Sequence, residues 1–323
     1  MIYINFLLIA IGFVALFKFA DYFLKGAIGI SNIFDIPKMI VGIVLVGLAT
    51  TAPEFGVSVI SAILGDSEIA LGNAVGSVII DDGVALALAA ILSPTVIIVN
   101  CRLIKIIGLF LLSIDVFAYI LARNGTIGRL EGVIFIFILI LYFVVIIKSQ
   151  KKRNNLESEK AERYKIDHLQ KKTMVRKHIK LFLFGFIGII ISSRLVHWST
   201  INLCDHFSLS KTLIGSTIIA LGTSLPEVST CITAALKGEG EIAVGNIIGA
   251  DVLNVLWIIG ASAIANPITV ELNIIHFIFP FMILIVAVML GSMIIGCRLT
   301  KTNGIILLLL YLVYLFMSYK IFV

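Results

Sequence analysis

The stretch GIVLVGLATTAPEF at residues 42–55, continued by GDSEIALGNAVGSVIIDDG at residues 65–83, decides how this chain is organised. A second copy starts 173 residues later, as GSTIIALGTSLPEV at 215–228 and GEGEIAVGNIIGADVLNVL at 238–256. The residues that repeat are mainly glycine, proline, threonine, asparagine and glutamate. Apolar composition alone would repeat leucine, isoleucine and valine, so this pattern indicates an internal duplication.

The composition is that of a membrane protein. The chain has 323 residues, of which 60% are hydrophobic and 14% charged, and its mean hydropathy is +1.12. This predicts a multi-pass membrane protein with the lipid bilayer as its surroundings. The net charge of +6 is concentrated in residues 148–180, which is typical of membrane orientation and not of nucleic-acid binding. The four cysteines are scattered without a CxxC pair, so we expect neither a disulfide nor a zinc framework.

Apolar segments long enough to cross about 30 Å of hydrocarbon occur five times on each side of a hydrophilic run. The predicted spans are 3–23, 36–64, 69–92, 101–121 and 130–147, followed by 181–195, 213–236, 242–265, 274–296 and 304–322. An odd number of spans per half makes the second half enter the membrane in the opposite sense. The sequence therefore predicts an all-α membrane protein with ten transmembrane helices arranged as two inverted five-helix repeats.

These spans divide the chain into three parts. The first repeat is 1–148 with its motif at 42–94, the hydrophilic connector is 149–177, and the second repeat is 178–323 with its motif at 215–267. The connector is either a surface helix or a flexible linker. Its many lysines and arginines place it in the cytoplasm, which puts both termini outside the cell membrane. The oligomeric state stays open, and we expect a monomer to be sufficient for function.

Each motif places a glutamate directly after a proline, near the middle of an apolar segment: Pro53-Glu54 and Pro226-Glu227. A carboxylate at membrane depth is costly and usually marks a functional site. The proline removes a backbone donor and breaks or kinks the helix. Freed carbonyls are tolerated in a membrane only where protein or a polar cavity satisfies them. Carbonyl, hydroxyl and carboxylate oxygens gathered at one depth predict a site for Ca²⁺ or Na⁺.

The second half of each motif adds further polar residues. Asp81 and Asn254 are equivalent in the two repeats and lie at about the depth of the glutamates. Ser77 shares a helix face with Asp81. The ligands expected to converge are Glu54, Asp81, Glu227 and Asn254. Asp82 and Asp251 have no acidic counterparts. Asp81 and Asp82 point in different directions, so one of them is expected to face a water-filled path, while Asp251 lines the other wall or binds a coupling ion. The alternative for Asp82 and Asp251 is a hydrogen-bonded acid behind the site. The glycines spaced four apart in each motif favour close helix packing.

At these residues the sequence resembles the calcium/cation antiporter superfamily, specifically its prokaryotic sodium/calcium exchanger branch. GTSLPE is intact at 222–227, in duplicate with ATTAPE at 49–54, and the ten-span plan matches over essentially the whole chain. The resemblance implies alternating access, in which the first and sixth helices slide past a static core of eight. It also implies a central Ca²⁺ site at Glu54 and Glu227, supported by Thr50 and Thr223. The Na⁺ sites implied by position are Ser77, Thr51, Ser224 and the backbone at Gly47 and Ala220.

The chain departs from the pattern of that family at four positions. Asp81 stands where the family usually has asparagine, and Asn254 stands where some relatives have aspartate. The acidic residue therefore lies in the first repeat of this chain and in the second repeat of those relatives, which conserves the charge of the site. Ala250 removes a serine hydroxyl, and Asp251 replaces a usual asparagine. These changes leave Na⁺, H⁺ or K⁺ open as the counter-ion.

The sequence therefore predicts a secondary antiporter that exchanges Ca²⁺ for Na⁺ at a central all-oxygen site. The alternative is a Ca²⁺/H⁺ exchanger, or another proton- or K⁺-linked cation exchanger on the same fold. Inverted repeats with helices broken at mid-membrane favour a transporter over a passive channel. HExxH, GxSxG and paired-aspartate motifs in a suitable context are lacking, so we expect no enzyme. Ca²⁺ and Na⁺ are expected as transported ions, without an organic cofactor.

Overall fold

The computed structural model describes residues 2–34, 36–158, 168–204 and 214–322, which are almost entirely helical. We label the helices in chain order as α1 Ile2–Phe34, α2 Lys38–Thr50, α3 Ala52–Leu64, α4 Ser67–Leu92, α5 Cys101–Ala122, α6 Arg129–Ser158, α7 His168–Cys204, α8 Ser216–Thr223, α9 Leu225–Leu236, α10 Gly240–Ala265, α11 Ile274–Ile294 and α12 Lys301–Phe322. The two-residue strands are β1 Ile97–Ile98, β2 Thr126–Ile127, β3 Ile268–Thr269 and β4 Arg298–Leu299. The predicted all-helical membrane fold is confirmed.

Six described helices are long and apolar enough to cross a membrane: α4, α5, α6, α10, α11 and α12. The number is eight if each bent pair counts as one span, because α2 and α3 meet at 45° and α8 and α9 meet at 53°. Helices α1 and α7 are also long, with 33 and 37 residues, but they are not among these eight. The predicted number of ten spans therefore stays a prediction.

Helices α1 and α7 extend well beyond the predicted spans at 3–23 and 181–195. Within α1, Asp21 and Lys25 form an ion pair at 2.6 Å one helical turn apart, which lets the helix continue through charged residues. A prediction from hydropathy alone places the end of the span at such charged residues. Helix also continues into both ends of the predicted connector, to Ser158 from one side and from His168 on the other. The middle of the connector, 159–167, lies outside the described residues.

The two halves share a local irregularity that hydropathy does not show. Five of the described segments are π-helical, and four of them form two pairs offset by 173 residues: Val41–Val46 with Ile214–Ile219, and Asp81–Leu86 with Asn254–Ile259. The fifth, Ile274–Ile278, has no π-helical counterpart in the first repeat. A π-helical turn widens the helix by one residue and is frequent at functional sites. Asp81 and Asn254, both predicted ligands, stand at the first positions of their π-helical turns.

Glycines let each repeat pack its second motif helix onto the broken helix of the other repeat. A Cβ added to Gly76 would lie 2.6 Å from the carbonyl oxygen of Ser216, and one added to Gly249 would meet the backbone of Ile43. These two contacts are equivalent under the 173-residue offset. The predicted role of these glycines in close helix packing is confirmed. Each repeat is thereby interlocked with its copy around a shared centre.

Two short ribbons join the halves of the chain near the helix ends. Strand β1 pairs antiparallel with β4, and β2 pairs antiparallel with β3. Next to the first ribbon, Cys101 and Cys297 form a disulfide with their Cα atoms 5.1 Å apart. The expectation that these cysteines form no disulfide was wrong. Their separation of 196 residues hides the pairing, which arises because the β1–β4 ribbon brings the two loops together.

Candidate cation-binding site between the repeats

Each bent pair places a hydroxyl residue at the break and a glutamate in the first turn of the next helix. Thr51 separates α2 from α3, and Ser224 separates α8 from α9. A proline follows in the first turn of α3 and of α9, where its missing N–H has no helical partner to lose. Glu54 and Glu227 therefore sit at helix N-termini, whose partial positive charge favours a carboxylate. The predicted break at each Pro-Glu motif is confirmed.

Hydrogen bonds cross between the repeats just before these breaks. The Thr50 hydroxyl donates to Asn246 Oδ1 at 3.2 Å, and the Thr223 hydroxyl donates to Asn73 Oδ1 at 3.0 Å. Both threonines also lie within hydrogen-bonding distance of helix carbonyls one turn earlier. The two contacts are mirror copies under the 173-residue offset. They fix the two broken helices relative to α4 and α10.

The amide nitrogens of the two asparagines also donate hydrogen bonds. Asn73 Nδ2 donates to Ser58 Oγ at 2.9 Å, and Asn246 Nδ2 donates to Thr230 Oγ1 at 3.1 Å. Both asparagines are buried. Neither was among the predicted site residues, although both stand in the repeated Gly-Asn pair of the motif. They position the threonines, and Asn73 Nδ2 also lies 3.4 Å from the backbone carbonyl oxygen of Glu54.

We expect replacement of Asn73 by alanine to lower the thermal unfolding temperature of the purified protein. The change removes the acceptor of the crossed hydrogen bond from Thr223 and also the donor to Ser58. An unmade buried hydrogen bond costs about 1–3 kcal/mol. Ser113→Ala is the control, since this exposed hydroxyl bonds only to the carbonyl of Leu109 in its own helix. Equal unfolding temperatures for the two variants would show that the crossed hydrogen bonds do not hold the repeats together.

Three buried carboxyl groups lie within electrostatic range of one another beside these threonines. Asp81 interacts electrostatically with both Glu54 and Glu227, and the two glutamates interact with each other. Thr51 donates a hydrogen bond of 3.1 Å to Glu227 Oε1, so a residue of the first repeat holds the glutamate of the second. The Ser224 hydroxyl lies beside both Glu54 and Asp81. The structure thus brings Glu54, Glu227, Asp81, Thr51 and Ser224 into one loose cluster. Among the described residues, no three acidic, histidine or cysteine side chains stand close enough together to hold one metal ion in this arrangement.

The carboxyl oxygens of this cluster lack the partners that buried charges need. Glu54 and Asp81 are buried, and neither carboxyl has a hydrogen-bond partner within the described part of the chain. The same holds for Oε2 of Glu227 and for the hydroxyl of Ser224. Among the described residues, no lysine or arginine forms an ion pair with the three carboxyls. Buried carboxylates without partners are strongly unfavourable unless a cation or a proton neutralises them.

The remaining predicted ligands differ in how free their oxygens are. Ser77 and Asn254 are buried, and their side chains make no hydrogen bond to any described residue. The carbonyl of Gly47 lies within hydrogen-bonding distance of the Thr50 hydroxyl and accepts from the backbone N–H of Thr51. The carbonyl of Ala220 makes the equivalent contacts in the second repeat. In this state, both carbonyls are therefore already engaged.

A second group of buried acids lies next to the first. Asp82 and Asp251 interact with each other, and both interact with Asp115 of α5. All three are fully buried, and their carboxyl oxygens have no conventional hydrogen-bond partner among the described residues. Asp251 also interacts with Asp81, which connects the two groups. Asp115 lies outside both motifs, so neither the repeat nor the spacing points to it.

Known proteins resemble this chain over nearly its whole length. A family model described as sodium/calcium exchanger protein matches residues 4–148 and 177–320. The CaxA protein of Alkalimonas amylolytica is 30% identical over 318 residues, which cover 97% of this chain and 98% of that protein. The sodium/calcium exchanger MaX1 of Methanosarcina acetivorans is 28% identical over an alignment that covers 99% of this chain and 100% of that protein.

Solved structures show the same fold. The sodium-calcium exchanger NCX_Mj, in crystals soaked with Na⁺ and Sr²⁺, superposes with a TM-score of 0.80 at 23% sequence identity. The match covers 97% of this chain and 98% of that one. The bent helix pairs and the interlocked halves therefore belong to a known architecture.

Proposed function

This chain belongs to the sodium/calcium exchanger protein family, and we propose that it exchanges Ca²⁺ for Na⁺ across the membrane by alternating access. It is a membrane cation antiporter and not an enzyme, as its family membership shows. One observation carries the finer proposal: Glu54, Glu227 and Asp81 are buried within electrostatic range of one another and have no described cationic partner. A hard divalent cation is the ligand that such an oxygen cluster suits best.

The two glutamates are proposed to bind Ca²⁺ from opposite repeats. Glu227 is held in place by the hydroxyl of Thr51, while both carboxylate oxygens of Glu54 lack a described hydrogen-bond partner and are available to the ion. Asp81 supplies the third negative charge. Thr50 and Thr223 fix the broken helices on which the glutamates sit. Ser77, Ser224 and Asn254 supply neutral oxygens for Na⁺, and Thr51, Asp251 and the carbonyls of Gly47 and Ala220 complete the proposed set.

The exchange of one ion for another is explained by the free energy that an unoccupied site would cost. Carboxylates in the membrane interior are stable only when their charge is compensated. The protein therefore passes through its closed intermediate only when Ca²⁺ or competing monovalent ions occupy the carboxylates. Because both kinds of ion need the same oxygens, each displaces the other. Movement of the loaded site from one side to the other then couples the two fluxes.

The remaining features follow from this transport role. We propose that the chain lies in the plasma membrane with its basic connector in the cytoplasm and both termini outside. The repeats at 1–148 and 178–323 supply the two halves of the site, and one chain contains every proposed ligand. A monomer is therefore sufficient for transport.

The proposal predicts that a Na⁺ gradient alone drives Ca²⁺ uptake. Purified protein is reconstituted into liposomes loaded with Na⁺, which are diluted into Na⁺-free buffer that contains radioactive Ca²⁺. The pH is equal on both sides, and a protonophore prevents a proton gradient from forming. We expect Ca²⁺ uptake well above that of liposomes loaded with choline. Uptake that ignores the Na⁺ gradient would refute Na⁺ coupling.

A specific observation favours a second candidate, in which protons replace Na⁺. Asp82, Asp115 and Asp251 bring three more buried acids next to the site, and none has a described cationic partner. Carboxyl groups in such surroundings are most easily neutralised by protons. The same liposomes distinguish the candidates: a pH gradient without Na⁺ drives Ca²⁺ uptake only if protons are the counter-ion.

A further inference from the structure

Two adjoining grooves lie where helices α1 and α7 come together near the connector. Glycines bring the helices into contact, with Gly26 against the backbone of Phe182 and Gly29 against the ring of His178. Beside the last contact is a groove of about 410 Å³, and along α7 is a second groove of about 600 Å³. Lys177 and Leu181 line both grooves, so the two form one continuous surface, which we call the α1–α7 groove.

One face of α7 supplies three cations to the α1–α7 groove. Arg176, Lys177 and Lys180 line it, and all three are exposed. None of the described residues that line either groove is acidic. The nearby Lys25 differs, because it forms an ion pair with Asp21. The three α7 cations therefore create a concentrated positive potential at one place on the surface.

The rest of the α1–α7 groove is apolar. Leu181 and Phe184 continue the same face of α7 beyond the cations, and Phe184 is 56% exposed. Ile28 and Ile33 of α1 and Met174 of α7 line the adjoining part. From Arg176 to Phe184 the helix rises about 12 Å at about 1.5 Å per residue. The polar region of one leaflet is about 5–8 Å thick, so this rise leads from the level of the phosphate into that of the acyl chains.

We propose that the α1–α7 groove binds an anionic phospholipid of the leaflet on the connector side. The phosphate lies between Arg176, Lys177 and Lys180, and an acyl chain lies along Leu181 and Phe184. Basic pockets between membrane helices on the cytoplasmic side recognise anionic head groups in this way. Charge complementarity selects an anionic lipid over a neutral one. The adjoining apolar wall selects a lipid over a soluble anion, which would leave Leu181 and Phe184 uncovered. The inference does not depend on the identity of the counter-ion.

Lipid binding at this place would act on the moving parts of a transporter. Helix α1 packs chiefly against α7 and also contacts α9, which carries Glu227. Asp21 of α1 forms an ion pair with Lys237 at the end of α9. A lipid bound to α7 therefore acts on the helix against which α1 packs, and α1 in turn abuts the proposed cation site.

The test is binding of phosphatidylglycerol to the full-length protein in detergent, measured by native mass spectrometry and by the thermal unfolding temperature. We expect wild type to retain phosphatidylglycerol in preference to phosphatidylcholine and to unfold at a higher temperature when it is added. The variant Arg176→Gln/Lys177→Gln/Lys180→Gln should bind it about a hundredfold more weakly, since each cation near an anionic membrane surface contributes about fivefold. Its unfolding temperature should no longer respond.

Matched controls separate this site from general surface charge. Arg102→Gln/Lys105→Gln/Lys301→Gln removes three exposed cations that do not line either groove, and it should bind the lipid like wild type. Arg176→Lys/Lys177→Arg/Lys180→Arg keeps the charge and should also bind, which guards against a folding defect in the glutamine variant. Equal loss in both glutamine variants would overturn the proposal. An equal shift of the unfolding temperature by inorganic phosphate would also overturn it, because the ligand would then be a soluble anion.

Discussion

Replacing Glu54 or Glu227 with glutamine should abolish Ca²⁺ transport in proteoliposomes. Glutamine keeps the size of the side chain and removes the charge, so the change tests the carboxylate and not the packing. Loss of one partner from a buried charge pair costs about 2–5 kcal/mol, so Ca²⁺ affinity should fall by at least about thirtyfold. The measurement is uptake of radioactive Ca²⁺ together with equilibrium binding of Ca²⁺ to the purified variants.

The chain offers closely matched controls for these two changes. Glu68 and Glu241 are also equivalent in the two repeats, and each stands in the first turn of a motif helix. Both are partly exposed and lie outside the cluster of Glu54, Glu227 and Asp81. Glu68→Gln and Glu241→Gln should transport Ca²⁺ like wild type. Wild-type flux in either Glu54→Gln or Glu227→Gln would exclude that glutamate as a ligand.

The second large effect on Ca²⁺ binding is expected from replacing Asp81. A compensating substitution in the other repeat should restore the binding. Asp81→Asn removes one of three carboxylates and should weaken Ca²⁺ binding by at least about tenfold, because affinity follows the number of charged ligands. Asn254 stands at the equivalent position, is buried and likewise begins a π-helical turn. Adding Asn254→Asp to Asp81→Asn restores the charge on the opposite side of the site. The double variant should therefore recover most of the Ca²⁺ affinity.

The comparison needs the single variant Asn254→Asp as well. It places four carboxylates in the site, and we expect it to transport more slowly than wild type because the added charge is not compensated. A double variant that stays as impaired as Asp81→Asn would show that the two positions are not equivalent around Ca²⁺. Normal Ca²⁺ binding by Asp81→Asn alone would remove Asp81 from the site.

The broken helices could be predicted from the sequence because their cause is local. Pro53 and Pro226 each lack a backbone donor, and a mid-membrane glutamate needs polar surroundings, so two adjacent residues determine both the break and the site. The duplication adds long-range information. It indicates that Glu54 and Glu227 are equivalent, and the structure places both against Asp81.

Contacts that cross between the repeats could not be predicted in the same way. The bond from Thr50 to Asn246 depends on how α2 packs against α10, and the glycines show only that some close contact exists. Asp115 stands outside the motifs, and its position becomes meaningful only when α5 places it beside Asp82 and Asp251. The disulfide from Cys101 to Cys297 likewise depends on two loops that meet through backbone hydrogen bonds.

Helices α1 and α7 show a different limit of prediction from the sequence. Hydropathy ends the first span where Lys18, Asp21 and Lys25 appear, yet α1 continues to Phe34. The charges neutralise each other along one helix face and with Lys237, so they do not stop the helix. The α1–α7 groove exists because both helices continue past the predicted span ends.

The most direct test is the position of the bound ion in crystals of this protein grown with Ca²⁺. We predict electron density for one Ca²⁺ between the repeats, within about 2.3–2.6 Å of carboxylate oxygens from both Glu54 and Glu227, which disappears when Na⁺ replaces Ca²⁺. Density for Ca²⁺ elsewhere in the molecule, or Ca²⁺ bound without either glutamate, would contradict a shared site between the two repeats.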